Sequence, residues 1–196
     1  MPGLNVSLLI VDDEALVRMC LVRILIESGY AVRTASDGFS ALAEIREDIP
    51  DLILSDLNMP GMSGFELLSV VRRRFPSIRV VAMSSAYSGP ELPLGVAADA
   101  FYEKGTSPAS LLRILEDIAR PGRSRPVFRP RLLAPIWIPT NGRNISGDSY
   151  VTISCPECLR AFSQVLDKSA AATLETSCAW CHFPINYAIV HSALAA

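Results

Sequence analysis

The chain has 196 residues, half of them apolar and 19% charged, a composition that forms a packed core and not a disordered coil. Its formal net charge of −2 carries no overall basic excess of the kind expected of a nucleic-acid binder. No apolar run approaches the ~18 residues of a membrane-spanning helix, and the first such run, 8–11, has no Lys or Arg before it and ends at Asp12; neither membrane insertion nor a signal peptide is expected, and a cytoplasmic, reducing location is.

The charge is unevenly spread. Residues 1–119 hold 10 basic and 16 acidic side chains, residues 120–147 hold six Arg and no acid, and residues 148–196 hold 2 basic and 4 acidic side chains. Three domains of sequence follow: an acidic domain over 1–120, a Pro- and Arg-rich linker over 121–147, and a small module over 148–196.

In chain order, 7–11 reads as a buried strand and 14–28 as a helix with Val17, Cys20, Leu21, Ile24 and Leu25 on its core face and Gly29 as its stop. A weaker strand at 31–35, a helix at 37–47 and a buried strand at 52–55 follow. A helix at 63–74 with Ser63 as cap, an apolar strand at 79–83 and a strand at 100–103 come next. Ser107 then precedes a helix that begins at Pro108, where the missing N–H costs nothing, with Leu111, Leu112, Leu115 and Ile118 facing the core. Alternating strands and helices imply a doubly wound parallel α/β sheet with right-handed crossovers. One unit is defective: 87–98 contains two Pro and two Gly where a helix is due, so at most one turn is expected. The linker is not purely polar. Its apolar stretch 132–138 is expected to pack on one of the domains, and could cover the fifth strand beside the defective unit.

Ligands bind such sheets at the C-terminal ends of the strands. There the sequence places Asp12 and Asp13 after the first strand, Asp56 after the third, Ser84 and Ser85 after the fourth, and Lys104 after the fifth. Three converging carboxylates call for a hard divalent cation with oxygen ligands, and a carboxylate so placed is a competent nucleophile for phosphoryl transfer. Read singly, Asp12 and Asp13 are ordinary acids at a helix start, Ser84 a strand-end hydroxyl and Phe101 a core aromatic.

Together, Ile-Val-Asp-Asp-Glu at 10–14, Asp-Leu-Asn-Met-Pro-Gly-Met-Ser-Gly at 56–64, Met-Ser-Ser-Ala at 83–86 and Ala-Asp-Ala-Phe-Tyr-Glu-Lys at 98–104 resemble the receiver domain of two-component response regulators, over about three-fifths of the chain. The resemblance implies a flavodoxin-like five-stranded sheet in the order 2-1-3-4-5. It implies Asp56 as phospho-acceptor, with Asp12, Asp13, Asp56 and the backbone carbonyl of Asn58 around Mg²⁺. It also implies Lys104 as the site lysine, Ser84 (with Ser85 as the alternative) as the switch hydroxyl, and Phe101 as the switch aromatic. The family follows the lysine with Pro; here Gly105 stands there. An aspartyl-phosphate phosphatase would want a second carboxylate two residues after its nucleophile, where this chain has Asn58.

Cys155-Pro-Glu-Cys158 and Cys178-Ala-Trp-Cys181 form two CxxC pairs with 19 residues between them, within the spacing of a four-cysteine zinc site. With alternating β patterns at Val151 and Ile153 and at Phe183, Ile185, Tyr187 and Ile189, the module resembles a zinc ribbon. A redox CxxC is the rival reading; the matched pairs and the lack of a following helical pattern weigh against it. His182 and His191 read as bystanders and Cys20 as core packing.

The expected protein is therefore a non-enzymatic response regulator. A sensor histidine kinase, a phosphotransfer protein or a small phosphodonor would phosphorylate it. Output would run through docking of an unknown protein on the ribbon. Binding of DNA through the basic linker and ribbon is the alternative, weakened by the negative charge of the ribbon itself.

Overall fold

Five short apolar runs become the strands of one parallel sheet: β1 (Ser7–Val11), β2 (Ala31–Ala35), β3 (Leu52–Asp56), β4 (Arg79–Ser84) and β5 (Ala100–Glu103), in the order β2-β1-β3-β4-β5. The structure is a computed structural model that describes residues 6–87, 96–119, 135–139, 142–143, 145–158, 160–166 and 174–190. The chain divides into two units, Met1–Phe128 and Arg129–Ala196.

Among the described residues, four helices pack on the sheet of the first unit: α1 (Ala15–Glu27), α2 (Gly38–Glu47), α3 (Gly64–Arg74) and α4 (Pro108–Ala119). Their starts follow from local hydrogen bonding. Asp37 and Ser40 form a capping box at α2, and Ser63 and Glu66 form another at α3, each satisfying backbone N–H groups that the first turn leaves unpaired. The central strand β3 is buried along its whole length, as parallel strands covered on both faces are. On one face Leu8, Ile10, Leu52, Leu54, Val81 and Met83 pack against Leu21 and Leu25 of α1 and Leu111 and Leu115 of α4. Leu112 and Ile118 are partly buried beside them.

The helix α1 departs from the expected face. Leu21 and Leu25 are buried, but Cys20 is exposed, as are Leu16 and Met19. Cys20 is therefore not core packing. The span 87–98, expected to lack a normal helix, falls largely outside the described residues, which resume at Val96.

Among the described residues, the second unit holds two three-stranded sheets. One has the order β10 (Leu174–Ser177), β11 (Pro184–Val190), β6 (Ile136–Pro139); the other has the order β7 (Gly142–Arg143), β8 (Ser149–Ser154), β9 (Ala161–Val165). Here the structure corrects the sequence reading. The sequence predicts a linker over 121–147 whose apolar stretch packs on one of the domains. It does pack, but as a strand: β6 pairs in parallel with β11, and Ile136 and Ile138 are buried in the core of the second unit with Val151, Ile153, Ile185 and Tyr187. The ribbon-like module thus starts well before residue 148. Among the described residues, no helix is long and apolar enough to cross a membrane.

Candidate functional site

The three carboxylates meet at the C-terminal edge of the first sheet. One oxygen from each of Asp12, Asp13 and Asp56 lies within 4.8 Å of the others, with Asp12 and Asp56 buried and Asp13 exposed. The fold places each one. Asp12 follows β1, and its Oδ1 accepts the backbone N–H of Glu14 at 2.9 Å. The guanidinium of Arg18, a turn into α1, donates to the carbonyls of Asp12 (2.6 Å) and Asp13 (3.0 Å) and pins the loop. Asp56 ends β3, where Gly64 at the start of α3 allows close approach. A Cβ on Gly64 would sit 1.9 Å from the Asp56 carbonyl oxygen and 2.7 Å from Leu57 Cα, both backbone atoms.

Lys104 closes the cluster. Its Nζ donates to Asp56 Oδ2 at 2.7 Å and lies 2.8 Å from Asp12 Oδ2, with Glu14 Oε1 at 4.0 Å. The lysine reaches this point without the usual Pro: the Lys104 N–H donates to the Ser84 carbonyl (2.9 Å), and Gly105 turns the chain at φ +87°. The Tyr102 hydroxyl ties the same turn by donating to the Thr106 carbonyl at 3.1 Å.

The charges are strongly coupled. Burial raises the Asp56 carboxyl pKa above its ordinary value; the Lys104 ammonium opposes this and the Asp12 charge adds to it, with a net upward shift. Burial works against the charge of Lys104, but the carboxylates of Asp12 and Asp56 outweigh it and hold its pKa above the usual lysine value. Asp12 Oδ2 is buried and ion-paired with the Lys104 ammonium at 2.8 Å, with no further partner among the described residues. Three carboxylates share that one ammonium, a charge imbalance that fits a hard divalent cation.

Ser84 is fully buried, whereas Ser85 is exposed, so Ser84 is the hydroxyl the structure brings to the site. Its Oγ accepts from Asn58 Nδ2 at 3.1 Å and from the Ala86 N–H at 3.0 Å. The sequence reading used only the backbone of Asn58 and did not single out Arg18. A helical turn from Asp13 to Arg18 could have signalled the latter; nothing local signals the Asn58–Ser84 contact, which spans 26 positions. Phe101 is half-buried on β5, paired with Ala82 of β4.

In the second unit the two CxxC turns sit between β8 and β9 and between β10 and β11. All four sulfurs lie within 4.8 Å of one another, with Cys155–Cys181 at 3.6 Å and Cys158–Cys178 at 3.7 Å. A tetrahedral Zn²⁺ with bonds of about 2.3 Å would set its sulfurs about 3.7 Å apart. Backbone N–H groups of Glu157 and Trp180 point at Cys155 Sγ and Cys178 Sγ, both at 3.4 Å. Burial pushes the Cys155 thiol up to about 12. Cys178 is also opposed by burial, but the backbone N–H groups of Cys181 and Trp180 and the neighbouring sulfurs outweigh it and draw its thiol down to about 6. Four sulfurs this close cannot all ionise without a cation, and the donor set fits Zn²⁺. His182 is exposed with φ +58° and does not join the cluster; His191 lies outside the described residues.

Comparison with known proteins places the first unit. The chain is 32% identical over 116 residues to the transcriptional activator protein ExaE of Pseudomonas putida, covering 57% of this chain and 54% of that protein. It is 35% identical over 82 residues to the sporulation initiation phosphotransferase F of Bacillus subtilis, covering 42% of this chain and 66% of that protein. The chain thus spans about half the length of the first of these relatives. Among solved structures, the chemotaxis response regulator CheY4 of Vibrio cholerae superposes with a TM-score of 0.54 at 33% identity, covering 58% of this chain and 98% of that one. The response regulator TrrA of Thermotoga maritima, in complex with Mg²⁺ and beryllofluoride, gives 0.54 at 30% identity, covering 57% of this chain and 97% of that one. The model of the response regulator receiver domain matches residues 8–116, which span the acidic cluster, Ser84 and Lys104, and the chain belongs to that family.

Proposed function

We propose that the chain is a response regulator that takes a phosphoryl group on Asp56 from a sensor histidine kinase or a phosphotransfer protein. The observation that carries this reading is the Lys104 ammonium between Asp12 and Asp56, at 2.8 and 2.7 Å, beside Asp13. An oxygen of Asp56 attacks phosphorus, the P–N bond of the phosphohistidine breaks, and the imidazole leaves with the electron pair. The product is an aspartyl phosphate, which water later cleaves to carboxylate and inorganic phosphate. Asp12, Asp13, Asp56 and the Asn58 carbonyl would hold Mg²⁺, which supplies positive charge against the phosphoryl oxygens. Lys104, already hydrogen-bonded to Asp56 Oδ2, is placed to follow the transferred group and hold one of its oxygens. Ser84 and Phe101 are the switch pair that reads the new charge. The chain is no enzyme beyond its own phosphorylation and dephosphorylation.

The second unit is the output module: a zinc ribbon held by Cys155, Cys158, Cys178 and Cys181 that docks a partner protein in the cytoplasm. Over the second unit, 129–196, five basic and four acidic side chains give a net of +1, and four thiolates around Zn²⁺ add about −2, which leaves no positive excess to attract nucleic-acid phosphates.

Incubation with Mg²⁺ and acetyl phosphate should place an acid-labile phosphoryl group on the chain, and Asp56→Asn should abolish it. Full labelling of Asp56→Asn would show that another residue is the acceptor. Capture of a partner by the phosphorylated chain, lost in Asp56→Asn, would identify the output.

A further inference from the structure

We infer that Asn58 acts through its side-chain amide as the positioning residue for Ser84, fixing the Ser84 hydroxyl as a hydrogen-bond donor for an oxyanion carried on Asp56. This rests on the reading of Asp56 as the phospho-acceptor.

A hydroxyl offers two acceptor lone pairs and one proton. At Ser84 both lone pairs are taken, one by Asn58 Nδ2 (3.1 Å) and one by the Ala86 N–H (3.0 Å). Ser84 is fully buried, so no solvent takes the proton, and no acceptor for it is found among the described residues. A hydroxyl held in this way can only donate. Both groups that hold it are N–H donors, so neither competes for its proton. The neighbouring strand end supplies the partner: the Leu57 N–H donates to the Met83 carbonyl at 3.0 Å, which holds the segment after Asp56 against the end of β4.

Asn58 also touches Asp56 itself, through its backbone N–H to Oδ1 at 3.4 Å. One residue thus connects the acceptor carboxylate with the switch hydroxyl. When Asp56 carries a phosphoryl group, an anionic oxygen is brought to a buried donor that already lacks an acceptor. Satisfying such a donor gains more than an ordinary exchange of hydrogen bonds with water. Without the Asn58 amide, a lone pair on Ser84 is freed. The hydroxyl can then rotate, and its proton is no longer committed to the phosphoryl side.

Beryllofluoride with Mg²⁺ serves as the phosphoryl mimic, and fluorine NMR of the full chain reads its binding. Asn58→Ala should weaken beryllofluoride binding about tenfold, the scale of one hydrogen bond to a charged group. In a Ser84→Ala background the same change should have little further effect. Asn58→Asp keeps the shape but can only accept, so it should capture the Ser84 proton; its loss should be larger with Ser84 present than with Ala at that position. That second comparison also serves if Asn58→Ala does not fold. Equal losses in both backgrounds, or tighter binding by Asn58→Ala, would overturn the inference while leaving Asp56 as the acceptor. Failure of the unaltered chain to bind beryllofluoride would overturn the reading of Asp56, and the inference with it.

Discussion

Asp56 ionises at a cost that its neighbours only partly offset. It is 4% exposed, Asp12 lies beside it, and Lys104 is shared between the two. The net result is a carboxyl pKa above the ordinary value, with burial as the largest cause. The sign of the linkage follows. A carboxyl with a raised folded-state pKa binds its proton more tightly in the folded chain than in the unfolded one. Its stabilising contribution is present below the ordinary carboxylate pKa and is lost as pH rises through the raised value. Asp56→Asn should therefore be more stable than the unaltered chain at neutral pH, by on the order of 1 kcal/mol. The difference should shrink as the pH falls below the carboxylate range. Urea midpoints measured across that range test this, and a neutral-pH midpoint lower than that of the unaltered chain would refute it. Lys104 follows the same sense at higher pH: its pKa is also raised, so its contribution persists through neutral pH and is lost only as pH rises above the usual lysine range.

At the scale of elements, position follows from pattern where the pattern is one-sided. The strands were legible as short apolar runs because both faces of a parallel sheet are covered, and the cluster was legible because each member sits at a strand end. The helix α1 shows where this fails. Its apolar residues surround the axis, with Leu16 77%, Met19 68% and Ile26 55% exposed, so a 3.6-residue period does not separate Cys20 from Leu21 and Leu25. β6 was missed for another reason. The prolines flanking 136–138 signal a linker, yet among the described residues β6 is an edge strand paired with β11, and a proline at the end of an edge strand disrupts no ladder. The Asn58–Ser84 contact joins the segment after β3 to the last residue of β4, and no local pattern carries it. The junction of β3 with α3 depends on Gly64, whose N–H donates to the Leu57 carbonyl at 3.0 Å. Gly64→Ala would drive a Cβ into the Asp56 carbonyl and Leu57 Cα, backbone atoms that cannot swing aside. The expected loss is roughly 2–4 kcal/mol, in the upper range for a single substitution that forces overpacking. Phosphorylation of Asp56 should fall with it, because the displaced atoms belong to the residue proposed as acceptor. Gly38→Ala is the milder comparison: the nearest atoms to its Cβ all belong to the Met62 side chain, Cγ and Sδ at 2.7 Å and Cβ at 2.9 Å, and a flexible Met gives more readily than backbone. Melting curves in which the two variants lose equal stability would argue against the backbone clash.

At the scale of the whole molecule, the two units are stabilised by different means. The first has a five-stranded sheet with helices packed on it and a core of large aliphatic side chains. The second has two three-stranded sheets and a much smaller core in which Cys155 and Cys178 are themselves buried members. A unit of that size gains too little from apolar burial to fold securely, and metal binding would supply the remainder. Removing the metal should therefore leave four crowded sulfurs, two of them on buried cysteines, around an empty centre and loosen the strands that present them. The full chain treated with a strong chelator should lose β signal and amide protection over 149–154 and 184–190, while 7–11 and 52–56 stay protected. Added Zn²⁺ should restore the loss, and Cys178→Ser should reproduce it without chelator. The receiver unit reads differently: because its acidic cluster is held together by Lys104, Arg18 and backbone hydrogen bonds, chelation should abolish phosphorylation of Asp56 without unfolding the sheet. Hydrogen exchange followed by mass spectrometry separates the two responses. Equal loss of protection in both units would show that they fold as one and that the metal stabilises the whole chain.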